Sequence, residues 1–190
     1  SAPYMHKNNE PKYHAMLLRA AEYAKKTRKH ILWFCAQDTP ENPAQLAKNP
    51  QKLKERKELL LQLHDQKTAG IPGLTPLFAD LKGRVTEKIC VGTQITILKH
   101  QPVTLVSWDL HPADRLNRSG SERFLDYLPL CLYLRVEKAT WVIHEKLGPG
   151  VFPLVPKIKG WELNSASEAK IQRKGFTFLP DYASTAFMIQ

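Results

Sequence analysis

From about residue 80 onward the chain is a series of short β-forming runs cut by proline and glycine. That pattern restricts this part to architectures made of short strands. The runs are Ile95–Leu98, Val103–Trp108, Leu132–Val136, Trp141–Ile143 and Ile171–Arg173, separated by Pro102, Pro112, Gly148-Pro149-Gly150, Pro153, Pro156 and Gly160. Closely spaced short strands of this kind predict a small barrel or sandwich. Asp109–Glu122, with Arg115, Asn117, Arg118, Ser119 and Gly120, reads as a polar loop.

The first 70 residues have another texture. Pro11 suits a first helical turn, and the stretch from Tyr13 to Ala24 is rich in helix formers. Tyr13, Leu17, Ala20, Ala21 and Ala24 make one apolar face. Lys25, Lys26, Arg28 and Lys29 gather where the helix dipole favours cations. Ile31–Ala36 is a continuous apolar run, which predicts a strand buried on both faces as in a parallel sheet. Helix followed by buried strand is the rhythm of an α/β domain. Asp38–Pro50, with three prolines, reads as loop, and a polar helix is expected from about Leu53 to Gln66, ended by Gly70-Ile71-Pro72-Gly73.

The 190 residues suffice for one domain, or a domain with a small insertion, and 43% hydrophobic content is enough for a core. Twenty-eight Lys and Arg against 18 acids leave a net charge of +10, which favours a polyanionic partner, nucleic acid first. A basic surface without a specific partner is the plain alternative. No apolar run nears the roughly 18 residues a membrane helix needs, and no signal-peptide pattern opens the chain. Cys35, Cys90 and Cys131 are odd in number and not closely spaced, which argues against a disulfide framework and against a zinc site. Their apolar neighbours predict buried thiols.

Motifs that would announce chemistry are missing. There is no glycine-rich phosphate loop, no His-Glu-x-x-His and no Gly-x-Ser-x-Gly. Gly148-Pro149-Gly150 cannot cradle phosphate, because Pro149 has no N–H to offer. His111 near Asp109 and Asp114 fits a solvated loop better than acid–base work. Lys170, Arg173, Lys174, Phe176, Phe178 and Tyr182 combine bases with aromatics, as single-strand binders do. Period-two alternation favours a core role for Phe176 and Phe178, leaving the basic groups as backbone contacts.

The run Gly175–Gln190 resembles the approach to motif V of superfamily 1 helicases of the Pif and helitron type. Pro180, Tyr182, Ala183, Thr185 and Gln190 fall in that frame. Leu81–Ile89 and Val103–Trp108 are similar to strands upstream of motif V in the family, and Tyr4–Glu10 is similar to an element preceding a helix in helitron helicases. The family's motif V His, Lys and Ser stand here as Phe187, Met188 and Ile189, which predicts a weakened motif. The chain begins at Ser1 and stops at Gln190 inside an expected helix, so it reads as a segment of a longer polypeptide.

The resemblance implies an α/β fold: a partial RecA-like domain of the P-loop NTPase type, residues 1–89 and 173–190, with an inserted small antiparallel β-barrel at 90–172. It implies part of an ATP-dependent DNA helicase, of DNA repair or recombination type, intracellular, and nuclear or mitochondrial in a eukaryote. ATP and Mg²⁺ would be cofactors of the intact protein and none of this segment alone. Partners would be single-stranded DNA and the first motor domain of the same polypeptide, with no membrane. Gln190 would face the nucleotide, while Thr185, Lys170, Arg173 and Lys174 would contact nucleic acid. Trp108, Tyr133, Trp141 and Trp161 are expected to anchor the insertion. Two other readings stay open: a non-enzymatic basic nucleic-acid-binding module, and a degenerate mobile-element remnant.

Overall fold

The computed structural model describes residues 5–6, 9–40, 58, 60–92, 94–114, 122–162, 170–181 and 184–185. Among the described residues one long helix, α1 (Asn9–Lys26), packs against a body that is otherwise mostly strand. Tyr13, Met16, Ala20 and Ala24 are its buried stripe, spaced three and four apart, with Leu17 and Ala21 on the flank. Lys25 and Lys26 close its last turn. Glu58 and Leu60–Gln62 are helical, in agreement with the first part of the expected second helix, but the helix ends there: His64 is extended and Asp65–Thr68 forms a separate 3-10 turn. Residues 53–57 and 59 lie outside the described ones.

The strands are β1 (Met5–His6), β2 (Ile31–Cys35), β3 (Gln37–Pro40), β4 (Leu74–Leu77), β5 (Leu81–Val85), β6 (Ile89–Val91), β7 (Ile95–Ile97), β8 (Pro102–Asp109), β9 (Glu122–Phe124), β10 (Cys131–Val136), β11 (Val151–Leu154), β12 (Lys157–Glu162), β13 (Lys170–Gly175), β14 (Phe178–Pro180) and β15 (Ser184–Thr185). The largest sheet is antiparallel throughout, in the order β11-β10-β8-β5-β14. Two three-stranded sheets, β12-β13-β3 and β4-β2-β9, and the pairs β6-β7 and β1-β15 complete the described set. Among the described strands only β2-β9 and β1-β15 are parallel.

Proline explains part of this order. It has no N–H for a ladder and is confined to edges and strand starts. Pro40, Pro76, Pro153 and Pro180 all sit on edge strands (β3, β4, β11 and β14), and Pro102 opens β8. The inner strands β5, β8 and β10 turn Leu81, Val85, Val103, Leu105, Leu132, Leu134 and Val136 inward. Phe34, Phe78, Phe152, Phe176 and Phe178 fill the space, each under 3% exposed. Burial of each stabilises by roughly 1.5–3 kcal/mol. Gly83 in β5 is required by this packing, because a Cβ there would overlap the Phe178 ring.

Several expectations are corrected. Among the described residues the sheets are mixed and the helices few, so the expected α/β rhythm is met at α1 and β2 and not continued beyond them. Ile31–Cys35 is a buried central strand, but its β4 neighbour is antiparallel. An apolar run shows burial on two faces and does not by itself fix strand direction. Gln37–Pro40 is strand rather than loop. Trp141–Ile143 forms no strand: it lies in the turn-rich stretch between β10 and β11, where Gly150 N–H donates to the Trp141 carbonyl. Of the four expected aromatic anchors only Trp161 is buried, and phenylalanines carry the core. Cys90 is exposed, since Ile89 takes the inward position of β6; Cys35 is half-buried and Cys131 buried.

The expected division at 89/90 and 172/173 coincides with no break in the sheets. β5 and β14 join the same sheet as β8, β10 and β11, and β13 runs across residue 172 while pairing with β3. One hydrophobic cluster draws on residues from Ala20 to Phe178. Among the described strands the five-stranded sheet ends at β11 and β14 and is not closed into a barrel.

Candidate nucleic-acid interface

β13 carries the basic cluster, and its period of two sorts the side chains. Lys170, Gln172 and Lys174 are exposed, whereas Ile171, Arg173 and Gly175 are buried. Cross-strand neighbours extend the outward face. Ile158 and Gln37 flank Lys174, Gly160 and Thr39 flank Gln172, and Glu162 stands beside Lys170. Gly160 leaves the centre of this face open, with no atom within 4 Å of the position a Cβ would take, and Ile158 is 63% exposed. Lys170 and Lys174 stand four residues apart, about 13 Å along the strand. Neither has an ion-pair partner among the described residues.

Arg173 is on the other face, and its exposure is 0%. Its Nε and one Nη donate to the two Asp38 carboxylate oxygens, each at 2.7 Å. Two further N–H groups reach the Leu60 carbonyl at 2.7 Å and the Ile71 carbonyl at 3.2 Å. Its guanidinium lies over Trp161, 5.2 Å from the ring centroid. Fully buried and with four hydrogen bonds inside the protein, Arg173 ties β3, β12 and the chain near Leu60 and Ile71 together. It offers nothing to a phosphate in this conformation. The three-cation cluster expected from sequence is thus two outward lysines and one internal tie.

Phe176 and Phe178 are buried, with Phe176 edge-on to Phe34 at 5.4 Å, so neither ring is open to a base. Thr185 lies in β15, whose two residues pair in parallel with β1: Met5 with Ser184 and His6 with Thr185. Ser184 and Thr185 are therefore strand residues. Gln190 and Tyr182 lie outside the described residues.

Lys157 and Lys159, on the inner side of β12, converge on Glu87 at 2.6 and 2.5 Å. Burial pushes the Glu87 carboxyl upward, but hydrogen bonds and attraction from the two lysines outweigh it, and the net shift is below the ordinary 4.5. A carboxyl depressed on folding stabilises the fold above its unfolded value and loses that contribution as pH falls through the folded one. The melting temperature should accordingly fall more steeply below about pH 4.5 in the wild type than in Glu87→Gln. Parallel melting curves would show the mechanism absent.

A second organised region carries no sequence signal of its own. Asp114, 2% exposed, accepts from Arg123 Nη at 3.0 Å and from the N–H groups of Asp126 at 3.1 Å and Tyr127 at 2.9 Å. This carboxylate folds the chain from Glu122 to Leu130 around itself. Phe124 and Tyr127 emerge from it 60% and 47% exposed. The short spacing between Asp114 and Arg123 is visible in the sequence, but nothing in the polar segment marks Asp114 as buried.

Among the described residues no group of three or more His, Cys, Asp or Glu could hold a metal ion. No described helix is long and apolar enough to cross a membrane.

No family model matches the sequence, and no curated protein matches it. Among solved structures, that of Pif1 helicase from Candida albicans is similar over 90% of this chain, at 9% identity and a TM-score of 0.48. The chain spans 34% of that protein's length.

Proposed function

We propose that this chain is part of an ATP-dependent DNA helicase, supplies some of its single-strand track, and does not turn over ATP alone. The observation that supports this reading most is the parallel pairing of β1 with β15. It sets side by side the two segments, near Tyr4–Glu10 and Gly175–Gln190, whose sequences resemble helicase elements, with α1 starting three residues after β1. In open sheets, ligands bind beyond the carboxyl ends of parallel strands. Thr185 would stand there near nucleic acid, and Gln190 near ATP and Mg²⁺ in the intact protein. A phosphate loop and metal, required to position and neutralise transferring phosphates, would come from the first motor domain of the same polypeptide. The DNA-facing groups of this part would be Lys170 and Lys174 on the outer face of β13.

The dominance of antiparallel sheet favours a second reading, a non-enzymatic single-strand-binding module using the same face. Both readings expect Lys170→Glu with Lys174→Glu to weaken binding of an oligothymidylate. Removing two phosphate contacts should also reduce the magnitude of the slope of log affinity against log salt by about 1.4. Unchanged affinity and slope in the double variant would reject the face. The readings separate in a longer polypeptide holding both motor domains: Gln190→Ala should abolish DNA-stimulated ATP turnover only if the helicase reading holds.

A further inference from the structure

Three glycines lie in described strands, and packing accounts for two of them. A Cβ on Gly83 would overlap the Phe178 ring, and one on Gly175 would come within 2.6 Å of Ile71. Nothing among the described residues requires Gly160 of β12 to be glycine. No atom lies within 4 Å of the position its Cβ would take, and its φ is not in the left-handed region. All six residues of β12 pair with β13 in unbroken register, so there is no bulge or corner for it to serve. Glycine weakens a strand, and its remaining use there is to let another molecule approach the backbone closely.

The register of the sheet says what surrounds this opening. Gly160 is opposite Gln172, and Thr39 lies beyond Gln172 on β3. Gln172 and Thr39 are exposed, and neither side chain has a hydrogen bond among the described residues. Lys170 and Lys174 stand two residues to either side of Gln172, about 7 Å each way. Along β12 the position is bounded by Ile158, 63% exposed, and by Glu162, roughly 13 Å apart. That span admits a planar ring lying on the bare backbone. Glu162 is opposite Lys170 and makes that end the weaker for an anion, so Lys174 is the stronger of the two cations.

We propose that Gly160 is the floor of a seat for one base of single-stranded nucleic acid, with Gln172 bonding the base edge and Lys174 and Lys170 taking the phosphates on its two sides. A flat, uncharged ring carried between two anionic linkages matches an uncovered strip of backbone between two cations. The Gln172 amide both donates and accepts, so it meets the edge of any base, in keeping with binding that does not depend on sequence. Ile158 supplies an apolar wall to the ring. The inference rests on the nucleic-acid reading of this face, and adds to its two phosphate contacts the residues that hold a base.

The test titrates the full chain with an oligothymidylate across a salt series. Gln172→Ala should weaken binding about 2- to 12-fold, the equivalent of one hydrogen bond. Gly160→Val should weaken it by at least as much, because its side chain fills the seat. The same variant should raise the melting temperature, since a β-branched residue suits an open strand position better than glycine. In both variants the slope of log affinity against log salt should match the wild type, as no phosphate contact is removed. Wild-type affinity in either variant would overturn the seat and leave the two-lysine face standing. A lowered melting temperature in Gly160→Val would overturn it by giving the glycine a structural reason. No oligonucleotide binding by the wild type would overturn the seat and the nucleic-acid reading together. Tighter binding of polyglutamate than of the oligonucleotide, lost in Gly160→Val, would overturn the seat in favour of an acidic-peptide site.

Discussion

Arg173→Ala should destabilise the folded chain by about 3–5 kcal/mol, the usual consequence of leaving one member of a buried pair uncompensated. Asp38, its partner, has a side chain only 8% exposed and would be left with no guanidinium beside it. The carbonyls of Leu60 and Ile71 would lose a donor as well, and the Trp161 ring its cation. Urea unfolding followed by circular dichroism measures the loss. Arg173→Met combined with Asp38→Leu should recover much of it, because apolar groups of similar volume often replace a buried ion pair without penalty. If Arg173 were instead a solvent-facing phosphate contact, alanine would leave the midpoint in place and weaken only oligonucleotide binding.

Asp114→Ala should destabilise by about 2–4 kcal/mol, since hydrogen bonds to a charged group are stronger than neutral ones and their loss leaves buried donors unpaired. The carboxylate satisfies the Asp126 and Tyr127 N–H groups and neutralises Arg123, whose side chain is 16% exposed. Amide hydrogen exchange at Asp126 and Tyr127 should accelerate more than exchange in β8 or β10. Unaltered exchange at those two amides would show that the segment is held by other contacts. Asp114→Asn should be milder, as its amide oxygen can still accept one of the bonds.

The elements legible in the sequence are those with strong local periodicity. The helix face from Tyr13 to Ala24, the buried run at Ile31, and the strands at Val103 and Leu132 all stand where their patterns put them. The burial of Phe176 and Phe178 follows from alternation. That same alternation places Arg173 beside Ile171 on the inner face, although its charge suggests the opposite. Its partner Asp38 is 135 residues away, in a stretch whose prolines resemble loop. Strand direction is not legible, because a side chain's inward or outward position is identical in parallel and antiparallel ladders. Nor is the stack of Phe124 on Trp33 or the buried Asp114. Both depend on β9, a strand of three residues in a polar segment, pairing with β2.

The proposed function makes single-stranded nucleic acid the ligand of this chain. Fluorescence-polarisation titration of an oligothymidylate with the 190-residue chain, across a series of salt concentrations, tests that most directly. The account predicts sequence-independent binding whose log affinity falls linearly with log salt, with a slope of about −1.4 if only Lys170 and Lys174 neutralise phosphates and steeper if further cations contribute. No binding at low salt, or an affinity that does not change with salt, would contradict it.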